Sequence, residues 1–456
     1  MSDVGTDTRP LRVAIVGAGP AGFYTAEHLY KRDALVVEID MFDRLPTPYG
    51  LVRLGVAPDH EKIKSVTRVY ERIAAHPGFR FFGGVEIGRD ITDADLATHY
   101  DAVVLCVGAP VDRKMGIAGE DLAGSISATD FVAWYNAHPD YRDLEVDLGI
   151  DEVVVVGNGN VAVDVARILA TDVEVLARTD IADHALATLR TSRVRTITMI
   201  GRRGPAQAAF TPKEIRELGE LAGVTLVVDP GDLEVVGDVS GDEDAERVMG
   251  ALRGVAGRVP APGDRVIRLR FLASPTELRG DERVREVTLV ENVLVADGET
   301  LRAQATDRTD RMPAGLVLRA VGYRGAPVPG YPFDERSGRI PNVDGRITDD
   351  DGTPLVGRYV AGWIKRGPSG VIGTNKADAG DTVARIVQDM ASGALGRPVF
   401  PRAEDAAALI AERVAVVVSW VDWQELDRQE RESGVADARP RRKFATRAEM
   451  YRALGR

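Results

Sequence analysis

The sequence predicts an α/β protein made of two doubly wound units, each a parallel sheet flanked by helices. Three observations carry this. A β-branched strand, a glycine turn, a helix and a second strand follow one another from residue 11 and again from residue 152. Two apolar strands ending at glycine, AVVLCVG at 102–108 and GLVLRAVG at 315–322, read as corresponding closing strands. The two glycine turns open at Gly17 and Gly157, 140 residues apart, which is a domain-scale duplication and not a short repeat.

In chain order, LRVAIV (11–16) is the first strand. The stretch 21–32 has helical spacing, with Ala21, Ala26 and Leu29 inward, and VVEIDMFD (36–43) is the second strand. The pattern returns with EVVVV (152–156), the turn GNGN, the helical VAVDVARILA and the strand TITMI (196–200), which runs into GRRG. Residues 229–263 are acidic and rich in Gly and Pro, and read as a surface excursion. VIRLRFL (266–272) and EVTLVENVLV (286–295) are strand-like, and after 325 the chain returns to the first unit. The tail 395–456 holds a helical stretch at 404–415, Trp420, Trp423 and the basic run ARPRRKFATR; it suggests packing and a contact surface only.

Composition narrows the function. The 456 residues suit two or three domains, and no apolar run reaches the roughly 18–20 residues that span a bilayer. The polar start MSDVGTDTRP does not read as a signal peptide, so a cytoplasmic protein is expected. A net charge of −12 argues against nucleic acid as a partner. The single cysteine, Cys106, excludes an internal disulfide, a CxxC redox pair and four-cysteine ligation of a cluster, and no metal site is expected.

GAGPAG at 17–22 fits G-x-G-x-x-G between a strand and a helix. Gly17 permits the tight turn, Gly19 lets a pyrophosphate approach the backbone, and Gly22 lets helix and strand pack closely. Asp43 follows Gly22 by 21 residues, near the spacing of about 20 at which an acid takes a ribose hydroxyl.

GNGNVA at 157–162 fits G-x-G-x-x-A, but GRRG stands where an acid would be expected. A 2′-phosphate calls for arginine, so Arg202 and Arg203 indicate NADP(H) in place of NAD(H), provided strand 196–200 lies beside 152–156. Arg202 follows Ala162 by 40 residues, twice the usual spacing, which requires a helical insert between. The bland alternative is a pair of solvated surface arginines. Two dinucleotide sites in one chain imply FAD plus NADP(H), with the flavin in the unit that the C-terminus completes. This gives a glutathione-reductase-like flavoprotein architecture of two Rossmann-like domains: an FAD-binding domain, 1–110 with 325–456, and an NADP(H)-binding domain, 111–324.

Flavin accepts a hydride and can release electrons singly. With no CxxC pair, the acceptor must be external: a one-electron protein carrier, a quinone or oxygen. A redox sensor with a structural flavin is a further reading.

LPTPYGLVRLGVAPDHEKIK (45–64), GEDLAG (119–124), GNGNVAVDVARIL (157–169), LARTDIADHAL (176–186), GRRGPAQAAFT (201–211) and GWIKRGPSGVIGTNKADA (362–379) resemble, in order, the adrenodoxin-reductase-like family of NADPH–ferredoxin reductases, bacterial members above all. The resemblance covers about 11–390 and favours a ferredoxin-type iron–sulfur protein as a transient electron acceptor. The alternative is an NADPH diaphorase or oxidase with a small-molecule or quinone acceptor.

The resemblance places the FAD pyrophosphate on Gly17, Ala18, Gly19 and Pro20, and its ribose on Asp43, where many relatives have glutamate. Leu51 and Val85 would line the flavin cleft, with Trp363, Gly370, Val371 and Ile372 against the ring and ribityl chain. NADP(H) would lie on Asn158, Gly159, Asn160 and Val161, with Arg202 and Arg203 on its 2′-phosphate, Arg113 toward its phosphates and Gly370 at the nicotinamide. His60 and Glu214 resemble the family's pair beside the nicotinamide. Locally, His60 also reads as a surface histidine at a helix start, and Glu214 as a first-turn acid behind Pro212. Lys365 and Arg366 could face an acidic partner or cap a flavin loop.

Overall fold

The computed structural model describes residues 4–234, 242–298 and 300–456. Its first sheet runs Asn342–Val343, Arg346–Thr348, Pro354–Val360, Ala102–Leu105, Leu11–Val16, Val37–Asp43, Phe79–Gly83. The last five strands are parallel. Leu11–Val16 is central and buried at every position. A parallel strand covered on both faces needs such an unbroken apolar run. Its one exception, Arg12, is 1% exposed and meets Asp40 at 2.9 Å and Glu38 at 2.7 Å. Pairing is what makes a buried guanidinium tolerable. Helices Pro20–Tyr30 and Thr374–Ser392 pack against each other beside this sheet.

The second sheet is parallel throughout: Ser125–Ser127, Leu316–Arg319, Glu152–Val156, Thr196–Ile200, Arg265–Arg270, Val224–Val228. Thr196–Ile200 lies beside Glu152–Val156, as the assignment of the arginines requires. Short helices Val173–Leu176 and Asp183–Arg190 fill the long spacing before it. The closing strands also correspond, since Ala102–Leu105 flanks Leu11–Val16 as Leu316–Arg319 flanks Glu152–Val156. An antiparallel sheet, Ala273–Arg279, Glu286–Asp297 and Thr300–Pro313, extends this unit. Val111–Asp112 and Tyr323–Arg324 pair as a ribbon where the chain leaves one sheet and later returns to it.

One sequence reading changes, and the expected packing of the tail gains its details. The excursion at 229–263 is not only surface: helix Glu243–Arg253 buries Val248, Met249 and Leu252 in the core of the second unit. Its helical spacing is hidden by the acidic residues around it. Residues 235–241 of that segment lie outside the described residues. The tail forms helices Ala403–Arg413, Trp420–Val435 and Arg447–Ala453. Trp423, Leu426 and Met450 enter the first sheet's core, and Trp420 packs edge-on against Phe79 and Phe81.

Candidate functional site

Each glycine turn sits at the carboxyl end of a central strand. Gly17 has φ +109°, and a Cβ there would lie 2.4 Å from the Cys106 carbonyl oxygen. Gly157 repeats this, with φ +131° and a Cβ that would fall 2.3 Å from the Ala320 carbonyl oxygen. The two turns are therefore equivalent in space as well as sequence, each fitted under its closing strand. Only glycine suits such a position.

Gly19 is the N-cap of helix Pro20–Tyr30 and offers no side-chain cap, so its first N–H groups are left to an anion. Gly50 lies across from it: a Cβ on Gly19 would be 4.0 Å from the Gly50 Cα. Tyr49 N–H donates to the Ala18 carbonyl at 2.7 Å, which ties the 49–51 segment to the turn. Asp43 accepts from the Ala18 N–H at 3.0 Å and the Leu45 N–H at 2.9 Å. Burial pushes the Asp43 carboxyl up, against the pull of those two N–H groups. Val85 is buried, its N–H on the Asp43 carbonyl at 3.0 Å, while Leu51 is exposed.

The 362–372 loop crosses between helices Pro20–Tyr30 and Thr374–Ser392. A Cβ on Gly362 would strike Ala21 at 2.7 Å, and the Gly362 N–H reaches Asp378 at 2.5 Å. Trp363 donates its indole N–H to the Ser369 carbonyl at 3.1 Å and lies 5.4 Å from the Tyr323 ring. Gly370 takes φ +77° and Val371 is exposed, while Ile372 packs on the core. Lys365 and Arg366 brace this loop: Lys365 meets Asp378 at 3.1 Å, and Arg366 meets Asn375 at 3.0 Å.

In the second unit, Gly159 is the N-cap of helix Asn160–Ala170, again with no side-chain cap. The Asn158 Nδ2 and Asn160 Oδ1 atoms are buried without a hydrogen-bond partner, as expected of groups meant for a ligand. Gly201 presses on Asn158, its would-be Cβ 2.4 Å from Nδ2, which sets Arg202 next to the turn. Neither the Arg202 nor the Arg203 guanidinium has a side-chain partner among the described residues; Arg202 is exposed and Arg203 half-buried. These residues fit a dinucleotide bearing a 2′-phosphate, and the first turn fits one bearing a free ribose. Arg113 is exposed, its Nε 3.3 Å from the Tyr323 carbonyl on the crossover ribbon.

His60 belongs to the first unit but lies against the second. Its Nε2 is 3.7 Å from Glu217 and its Nδ1 3.9 Å from Asp164 on the Asn160–Ala170 helix. Neighbouring Asp59 forks onto the buried Arg167 at 2.7 and 2.9 Å, and Arg167 also holds Asp164 at 2.8 Å. Burial raises the Asp164 carboxyl, with Arg167 and His60 opposing.

The structure does not pair His60 with Glu214. Glu214 accepts from the Thr211 N–H at 2.9 Å and hydroxyl at 2.7 Å, closing its own helix start. Glu217, one turn on, is the acid that faces His60, and its Oε2 is buried with no hydrogen bond. Sequence reading missed Glu217, Asp164, Arg167 and Asp59. The i, i+3 spacing of Glu214 and Glu217 was the available signal.

Two cradles for dinucleotides, with a residue of one unit laid against the helix of the other, define a pyridine-nucleotide-dependent oxidoreductase. The comparisons agree. Residues 11–201 match the pyridine nucleotide-disulphide oxidoreductase family. The chain is 49% identical over 460 residues to NADPH-ferredoxin reductase FprA of Mycobacterium tuberculosis, covering 97% of this chain and 99% of that one. It is 41% identical over 466 residues to mitochondrial NADPH:adrenodoxin oxidoreductase of Homo sapiens, covering 99% and 93%. A solved structure of Mycobacterium tuberculosis FprA in complex with NADPH superposes with a TM-score of 0.93 at 47% identity, covering 98% and 100%. The chain belongs to the NADPH–ferredoxin reductase family, whose members are oxidoreductases of the FAD and NADP(H) class.

Proposed function

We propose that this chain passes electrons from NADPH, through FAD, to a ferredoxin-type iron–sulfur protein that binds transiently. The observation that carries the NADPH half is the pair of guanidiniums, Arg202 and Arg203, without side-chain partners among the described residues, at the end of the strand beside the second turn. FAD, when bound, supplies the chemistry that links a two-electron donor to a one-electron acceptor. The domain limits proposed are 1–110 with 325–456 for FAD, and 111–324 for NADP(H).

The chain's own residues then bind and orient. Gly17, Ala18, Gly19 and Pro20 bring the turn against the FAD pyrophosphate, where the Gly19 N–H and the positive end of helix Pro20–Tyr30 face it, and Gly22 keeps helix and strand close. Asp43 takes the adenosine ribose with the lone pairs left after its two backbone bonds. Leu51 and Val85 line the cleft, while Trp363, Gly370, Val371 and Ile372 cover the flavin ring and ribityl chain. Asn158, Gly159, Asn160 and Val161 cradle NADP(H), with Arg113 toward its phosphates and Gly370 at the nicotinamide. Of the pair expected at the nicotinamide, His60 orients the carboxamide, with Glu217 beside it at 3.7 Å in the place expected of Glu214.

No helix among the described residues is long and apolar enough to cross a membrane, and we place the protein in the cytoplasm. Anaerobic titration tests the cofactor half. NADPH should bleach the bound flavin rapidly and NADH slowly. Equal bleaching by both would reject the role of the two arginines.

A further inference from the structure

Two sequence features take no part in either cradle: the LARTDIADHAL segment of the second unit and the basic run near the C-terminus. The structure joins them. Asp180, 5% exposed, accepts Lys64 Nζ at 2.6 Å and Lys443 Nζ at 3.1 Å. The Lys443 side chain is 1% exposed and also donates to the Arg53 carbonyl at 3.1 Å and Asn136 Oδ1 at 3.2 Å. Its three N–H donors thus meet three acceptors. Lys64 and Arg53 come from the first unit, Asn136 and Asp180 from the second, and Lys443 from the tail.

The contacts continue on both sides. Arg439 donates to the Thr179 carbonyl at 2.9 Å and to the Ile181 carbonyl, and pairs with Asp183 at 2.5 Å. Arg442 pairs with Asp183 at 2.7 Å, and Arg447 with Asp140. The root of this strap is fixed on the first unit. Glu430, 1% exposed, holds Arg53 at 2.8 and 2.5 Å and accepts the Phe444 N–H at 2.9 Å.

Buried ions are a weak source of stability, because desolvation offsets most of their attraction, but they can specify a single arrangement. Here the arrangement is between the two nucleotide-binding units. Lys64 lies one helical turn after Asp59 and His60, which touch Arg167 and Asp164 on the second unit's cradle helix. The segment 59–64 is therefore pinned to the second unit at both ends.

We propose that Asp180, Lys64 and Lys443 are positioning residues, and that tail segment 439–447 is a strap locking the two nucleotide-binding units in one relative orientation. The proposal rests on the electron path given above, in which the two dinucleotides must meet across that junction. A misplacement of about 1 Å between reacting groups costs on the order of a hundredfold in rate.

The test uses the flavin-loaded full chain with Asp180→Asn and Lys443→Met, and Lys64→Gln as a milder variant that leaves Asp180 one lysine. Flavin reduction by NADPH is followed by stopped flow, NADP+ affinity by titration, and amide exchange is mapped over 59–64 and 179–183. The expected result is reduction at least tenfold slower for the first two and severalfold slower for Lys64→Gln. NADP+ affinity should stay within about twofold, and exchange should rise in both segments. A wild-type rate, or unchanged exchange, in variants that retain flavin would overturn the proposal. So would a loss of NADP+ affinity as large as the loss of rate, because that is what general structural damage produces. Failure of NADPH to reduce the unaltered protein would instead reject the electron path, and the exchange measurement would still decide the strap.

Discussion

His60 Nε2 lies 3.7 Å from Glu217 Oε2 across the junction of the two units, while Glu214 is bound to Thr211. The two glutamates should therefore separate by experiment. Glu217→Gln should slow flavin reduction severalfold or more. Glu214→Ala should lower stability by about 1 kcal/mol through loss of a helix cap and leave the rate near wild type. A slow Glu214 variant beside a fast Glu217 variant would restore the pairing expected from sequence.

Arg202 and Arg203 govern the choice of nucleotide. Each charge-assisted bond to phosphate contributes about 1.5–3 kcal/mol, so each arginine-to-alanine change should raise the KM for NADPH roughly ten- to a hundredfold. The KM for NADH should barely move. Steady-state kinetics with both nucleotides checks this, and an unchanged preference would contradict the 2′-phosphate assignment.

The glycines of the first turn divide into two kinds. Gly17→Ala should impair folding itself, since its Cβ would sit 2.4 Å from the Cys106 carbonyl oxygen at φ +109°. Gly19 has φ −91° and its nearest neighbour would be 4.0 Å away, so the protein tolerates a side chain there. Gly19→Val should fold and purify without yellow colour. Retained flavin in that variant would argue against the first cradle.

Acid should loosen the strap. Burial works against the charge of Asp180, but Lys443 and Lys64 outweigh it and hold its carboxyl at about 2, below its ordinary value of 3.8. A depressed carboxyl stabilises the fold fully above the unfolded value and loses that contribution as pH falls through the folded one. That contribution should disappear as pH falls from about 4 toward about 2. Chemical denaturation across that range should show a smaller fall for Asp180→Asn than for the unaltered protein.

Local patterns carried most of the fold. The turn at 17–22, the turn at 157–162 and the closing strands at 102–105 and 316–319 are each set by residues close in sequence, and the sheets place them as read. The strand Thr196–Ile200 was also legible, because its neighbour followed from the fingerprint despite the insert. What escaped is contact between segments far apart. Glu217 and Glu214 are alike in sequence, and only the approach of the 59–64 loop tells them apart. Lys443 looks like one more solvated cation in a basic tail, yet it is buried because Asp180, Asn136 and the Arg53 carbonyl converge on it. Helix Glu243–Arg253 was hidden by its charged flanks.

In the proposed function, electrons from NADPH leave one at a time to an iron–sulfur carrier. The most direct measurement is NADPH-driven cytochrome c reduction, with and without added ferredoxin, with NADH alongside. Ferredoxin should stimulate the rate strongly, with a clear preference for NADPH. A rate indifferent to every ferredoxin supplied would contradict it and point to a small-molecule or quinone acceptor.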